Sequence, residues 1–168
     1  VEDSIRFYSS ILPNLYNYIL LQSQRFATEA LNRHTATLRM RGRPKVVLAR
    51  TYEEAMALYK KYAANTLGVI SDVRFPVGGV KDAEAGFKLL RAIRSRDEYV
   101  PLIMESSEGE NRERAQAEGF RFVDKNSKKM SLDLRRMMEE HMGFGDFIFR
   151  DPKTKAEIMR IHSLKELQ

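Results

Sequence analysis

Apolar side chains fall at Tyr8, Leu12, Leu15, Ile19, Phe26 and Ala30, close to the three-four spacing of a helix that buries one face. This spacing predicts one long helix over about residues 4–41, or two joined near Pro13, with Gly42 and Pro44 stopping it. Beyond that point the pattern changes. Lys45-Val46-Val47-Leu48-Ala49 reads as a short buried strand, and Thr51 with Glu54 makes a capping box ahead of a helix carrying Ala55, Met56, Leu58 and Tyr59. Leu67 to Ser71 is another buried strand, and the Gly-rich connection Val77-Gly78-Gly79-Val80 leads to a helix bearing Phe87, Leu89, Leu90 and Ile93. Val100-Pro101-Leu102-Ile103-Met104 follows as a strand whose proline suits its first residue, with Glu105-Ser106-Ser107 directly after. Asn111 to Glu118 reads as a short polar helix closed by Gly119, and Phe120 to Val123 as a strand ending at Asp124-Lys125-Asn126. Ser131 is placed to cap a helix through Leu132, Leu134, Met137 and Met138, with Asp133 in its first turn and Gly143 beyond its end.

Strand and helix alternate throughout, which predicts an α/β fold with a parallel sheet covered on both faces. In such sheets ligands gather at the carboxyl ends of the strands. Asp72 stands there, released from the tip of its strand into a loop, a position that suits a nucleophile or a metal ligand. With Val1 as the end of a first strand, the strand ends present Glu2 and Asp3, then Asp72, then Ser106 or Ser107, then Lys125. Clustered carboxylates repel one another unless a cation neutralises them, and hard oxygen ligands beside a phosphoryl group favour magnesium. The lysine and a hydroxyl could hold the oxygens of a phosphoryl group on Asp72.

Composition narrows the setting. The 168 residues are 43% hydrophobic and 31% charged, enough core for one domain with an appendage. With no cysteine, disulfides and Cys-based zinc sites are excluded, and no apolar run approaches the length of a membrane span. A cytoplasmic setting is the expectation. The net charge of +6 is interleaved with acids along the chain, which argues against a nucleic-acid surface. His34, His141 and His162 have neither metal-like spacing nor a partnered nucleophile and read as surface residues. The chain opens on Val1-Glu2-Asp3-Ser4 without a targeting pattern, as a piece of a longer protein would.

The order Val1-Glu2-Asp3-Ser4, Asp72 with Phe75-Pro76 following, Pro101 through Ser107, then Gly119 through Phe122-Val123-Asp124-Lys125 resembles a response regulator receiver domain of the chemotaxis type over about residues 1–142. The resemblance implies a flavodoxin-like, doubly wound five-stranded parallel sheet of order 2-1-3-4-5. It also implies Asp72 as phosphoacceptor, with Glu2, Asp3, Asp72 and the backbone carbonyl of Arg74 holding Mg2+. Ser106 would follow the phosphoryl group, Lys125 would be its cationic partner, and Phe122 would take the switching aromatic position. The implied donor is a phosphohistidine on a histidine kinase or phosphotransfer protein. The domain itself would perform only its own phosphorylation and dephosphorylation, regulating a downstream output domain.

Five features depart from that pattern. Asn126 follows the lysine where the family usually has proline; the first helix is about 20 residues longer than needed; the segment from Pro76 to Gly86 is about six longer. Phe122 lacks a tyrosine hydroxyl, and Arg74 is placed to reach the phosphoryl group or to pair with Glu108. The extra helical length is expected to pack on another part of the chain or to form a homodimer. After residue 143 the texture changes: Phe147 to Arg150 and Glu157 to Ile161 read as a β-hairpin, and Ser163 as the cap of a further helix. The long first helix and this 144–168 tail resemble the receiver-like region of bacterial phosphoenolpyruvate synthase-like proteins, so the alternative is a non-switching scaffold or dimerisation module of such an enzyme. An aspartyl-phosphate phosphatase would need a second acid two residues after Asp72, where Arg74 stands. Flavin binding would need a Ser/Thr/Gly-rich loop after the first strand.

Overall fold

The computed structural model describes residues 1–28, 33, 43–144, 147–154, 156–161 and 166. Among them are five α-helices: α1 (Ile5–Thr28), α2 (Tyr52–Tyr62), α3 (Ala85–Arg94), α4 (Asn111–Ala117) and α5 (Met130–His141). The strands are β1 (Val69–Asp72), β2 (Phe75–Val77), β3 (Val80–Asp82), β4 (Leu102–Ser106), β5 (Arg121–Asp124), β6 (Phe147–Arg150) and β7 (Glu157–Ile161). The fold is mixed α/β around a three-stranded parallel sheet of order β1-β4-β5. Its register sets Asp72 beside Glu105 and Ser106 beside Asp124, so the ends of the three strands lie together.

The sheet is buried on both faces because its strands are apolar at successive positions. Leu102, Met104 and Phe122 pack with Ala55, Met56 and Tyr59 of α2, Phe87, Leu90 and Ile93 of α3 and Ala115 of α4. Ile103 and Val123 pack on the opposite side with Ile11, Leu15 and Tyr18 of α1 and Leu134 and Met138 of α5. The alternation of Leu102 and Ile103 between the two clusters is the two-residue period of a strand made visible.

The extra strands expected at 45–49 and at Val1 form no ladder. Glu2 N–H donates to the Ala49 carbonyl at 3.0 Å, Asp72 N–H donates to the Val1 carbonyl at 2.9 Å, and the Val1 amino group reaches the Ile70 carbonyl. These bonds lay residues 1–2 along β1, yet they are too few for a strand. Val47 is 58% exposed, so the 45–49 run is an extended edge and not the buried strand its composition predicts. Asp72 is accordingly the last residue of β1 with its N–H bonded, and has not shed its backbone partners as expected.

The segment read as a Gly-rich connection is an antiparallel hairpin. Phe75, Pro76 and Val77 pair with Asp82, Lys81 and Val80, and Gly78 and Gly79 turn the chain at φ 59° and 83°. Two successive left-handed residues make the two-residue turn that matches strand twist, and glycine adopts them without steric cost. Phe75, fully buried, roots the hairpin in the core.

Helix α1 runs unbroken through Pro13, its buried stripe Ile11, Leu15, Tyr18, Ile19, Gln22 and Ser23 displaced from the expected Tyr8 and Leu12. The buried Ser23 hydroxyl donates to the Ile19 carbonyl at 2.7 Å. The expected continuation to residue 41 falls almost wholly outside the described residues. Thr51 caps α2 as predicted, accepting from Glu54 N–H at 3.2 Å, while the Glu54 carboxylate accepts from Arg50 N–H at 2.8 Å, one residue before the usual partner. Helix α5 begins at Met130, so Ser131 lies inside it; the turn is made by Ser127, whose Oγ accepts from Lys129 N–H at 3.1 Å. His141 is not a surface residue, its side chain being 14% exposed at the end of α5. The C-terminal hairpin forms from β6 and β7, closed by Asp151, whose Oδ1 accepts from Lys153 and Thr154 N–H. The helix expected from Ser163 lies outside the described residues, apart from Glu166. No helix among the described residues is long and apolar enough to cross a membrane.

Candidate functional site

Four of the sequence-predicted residues meet at the strand ends. The Lys125 ammonium lies 2.9 Å from Asp72 Oδ1 and is bonded to Glu2 Oε2. Its side chain is 2% exposed, against 5% for Glu2 and 16% for Asp72, so the three charges interact where water screens them little. Each position has a backbone cause. Lys125 N–H donates to the Ser106 carbonyl at 2.9 Å, carrying the β4–β5 ladder one step past Asp124, and Glu2 is held by its bond to Ala49. Glu2 Oε1 also accepts from Ser4 N–H at 3.0 Å, which fixes the entry into α1.

Glu2, Asp3 and Asp72 each offer a carboxylate oxygen, and these oxygens lie within 4.8 Å of one another. Asp3 Oδ1 is buried without a hydrogen-bond partner, while Oδ2 is 3.3 Å from Lys81 Nζ. Hard oxygen donors, one of them unsatisfied, at this spacing fit a small divalent cation such as Mg2+.

Ser106 and Phe122 are turned to other partners. Ser106 Oγ accepts from Glu108 N–H at 3.0 Å and from Asn111 Nδ2 at 3.1 Å, and so caps the turn that follows β4. The Phe122 ring is buried in the core with the Arg112 guanidinium 5.0 Å from its centroid. Arg74 pairs with Glu108 at 2.8 Å, the second of the two options open to it. Asn126 donates from Nδ2 to the Ser107 carbonyl at 2.8 Å and so ties the loop after β5 to the loop after β4.

Two neighbours of the site went unnoticed in the sequence. Glu105 is 2% exposed, stands beside Asp72 in the ladder, and has one carboxylate oxygen buried without a hydrogen-bond partner. Burial pushes its carboxyl up to about 7, against the opposing pull of the Lys125 charge. The signal was available: a charged residue inside a run buried on both faces must itself be buried. The second is Phe7, whose ring lies 4.4 Å under the Lys125 ammonium. Burial alone would lower the Lys125 pKa, but the charges of Glu105 and Asp72 and the bonds to Glu2 and Asp72 together hold it above its usual range.

The arrangement is a carboxylate at a strand end with a fixed countercharge and two further acids beside it, the Asp72 side chain keeping 16% of its surface exposed. Scans against protein-family models, curated proteins and solved structures found no match to this chain.

Proposed function

We propose that the chain is a signal receiver that accepts a phosphoryl group on Asp72 from a phosphohistidine donor. The observation that carries this reading is the Lys125 ammonium 2.9 Å from Asp72 Oδ1, with the Glu2 and Asp3 carboxylates within 4.8 Å of the same residue's oxygens. A paired carboxylate at a strand end, beside acids that need a cation, is suited to in-line attack on phosphorus. The two backbone bonds that join residues 1–2 to β1 and to Ala49 are what a five-stranded flavodoxin-like sheet of order 2-1-3-4-5 would need at that edge.

An Asp72 oxygen attacks the phosphorus while the bond from phosphorus to the donor imidazole nitrogen breaks, its electron pair leaving with the nitrogen. The product is an acyl phosphate on Asp72. Lys125, already paired with Asp72, moves its charge to the transferred oxygens without leaving the pocket. The two bonds that Ser106 Oγ accepts occupy its lone pairs and leave its proton to be offered to a phosphoryl oxygen. Bound magnesium would supply positive charge to the phosphoryl oxygens, and Glu2, Asp3, Asp72 and the Arg74 carbonyl would hold it. Movement of Ser106 would loosen its hold on Glu108 and Asn111 and thereby shift the start of α4, the path by which a partner or output domain would sense the site.

The test is phosphorylation by acetyl phosphate with magnesium, or fluoroberyllate binding, followed by amide signals of Asp72, Ser106 and Lys125. Label that is hydroxylamine-sensitive in the parent and lost in Asp72→Asn supports the reading; label retained in that variant sinks it. A second reading is a non-switching receiver-like scaffold, for instance in a phosphoenolpyruvate synthase-like enzyme. It is favoured by the pairs Lys125 and Lys81 make with the site acids. Spectra unchanged by millimolar analogue would select it.

A further inference from the structure

The β2–β3 hairpin is the part of the molecule a receiver does not require, and it ends on the acidic cluster. Lys81 Nζ is 3.3 Å from Asp3 Oδ2, and Asp3 is one of the three acids whose oxygens converge. The hairpin's backbone is held at every corner. Phe75 is buried in the core, Gly78 N–H donates to Glu53 Oε1 of α2 at 2.8 Å, and Asp82 pairs with Lys88 of α3 at 2.5 Å and accepts from Glu84 N–H at 2.7 Å. Lys81 itself is 62% exposed and linked to the site only through its ammonium. A rigid support therefore presents a side chain free to leave.

We infer that Lys81 is a competing countercharge for the divalent-cation site, so that cation binding requires its ammonium to leave Asp3 and the hairpin reports whether the site is loaded. This rests on the phosphoacceptor reading and adds a regulator to it. Asp3 has one oxygen committed to Lys81 and one buried without a partner, so the two cations share one carboxylate and repel each other. With the displaced ammonium about 8 Å away, a single positive charge opposes a divalent ion by about 1 kcal/mol in water-like dielectric, which is about three- to tenfold in affinity. Because the lysine is exposed, this opposition falls as salt is added.

The experiment is titration of the full chain with Mg2+, followed by amide shifts, and with Mn2+, followed by electron paramagnetic resonance, in the parent, Lys81→Met and Lys81→Arg. Lys81→Met keeps the stem and, at an exposed position, leaves the fold intact. It is expected to bind about three- to tenfold tighter, with the difference shrinking in high salt, while Lys81→Arg binds like the parent. Amides of Val80 to Asp82 are expected to shift on metal addition in the parent. Equal affinities in the parent and Lys81→Met, with the hairpin signals unmoved, overturn the role of Lys81 and leave the metal site standing. Failure of all three proteins to bind metal overturns the site and this inference together.

Discussion

A Cβ placed on Gly86 would lie 2.2 Å from the carbonyl oxygen of Asp72. The first turn of α3 therefore rests directly on the strand end that carries the proposed nucleophile, an approach reinforced by Gly86 N–H donating to the Val73 carbonyl at 2.9 Å. Gly86→Ala cannot be absorbed by a flexible side chain, because the obstacle is backbone. It is expected to cost about 2 to 3 kcal/mol in urea unfolding and to displace the Asp72 amide signal. Gly109→Ala, where nothing lies within 4 Å, should change stability by no more than about 0.5 kcal/mol. Equal effects at the two glycines would contradict the packing.

Lys125→Met is expected to destabilise the fold by about 3 kcal/mol, because Glu2 and Asp72 lose the cation buried between them. Adding Asp72→Asn to that variant removes one of the stranded charges and should recover part of the loss. Urea midpoints of the parent, both single variants and the double variant close the cycle. A double variant no more stable than Lys125→Met alone would mean that the ion pair is not what the lysine contributes.

Stability should depend on pH through two groups of opposite sign. Glu105 is raised from 4.5 to about 7 by burial, so the folded state binds its proton more tightly than the unfolded chain and stability falls as pH rises through that interval. His141 is lowered from 6.5 to about 4, by burial first and then by the nearby Arg121 charge, so stability is lost as pH falls through that interval. Their windows overlap and the slopes oppose, each limited to about 1.4 kcal/mol per pH unit. Glu105→Gln should therefore become more stable with rising pH between 4.5 and 6.5, and His141→Gln less stable. Urea midpoints across that range that leave both variants with the parent's profile would refute the assignment.

Thr51→Ala should cost about 1 kcal/mol by removing the acceptor for Glu54 N–H at the start of α2. Glu54→Ala should cost less, since the bond it accepts from Arg50 N–H at 2.8 Å lies outside the helix and satisfies none of its first-turn donors. Thermal or urea unfolding of both variants checks the order, and a larger loss at Glu54 would reverse the argument.

Much of the architecture was readable one segment at a time. Gly119 and Gly143, placed just past their helices, have φ of 75° and 72°, as left-handed helix ends require. The C-terminal hairpin followed from two short apolar runs around Asp151-Pro152. The hairpin at 75–82 carried its own signal, two glycines between valines, but the short runs beside it were read as connection. The edge at 45–49 misled in the other direction, since β-rich composition does not reveal whether a segment finds enough partners to make a ladder.

By itself the sequence determined the alternation of strand and helix and the residues that stand at the strand ends, because periodicity and capping act over a few neighbouring positions. Only the tertiary structure decided that Lys125 sits between Glu2 and Asp72, that Glu105 is buried beside them, and that Lys81 reaches Asp3. Those meetings depend on strand register and on the approach of segments remote in the chain, and where side chains are closely packed and little screened a small displacement changes which charge each one serves.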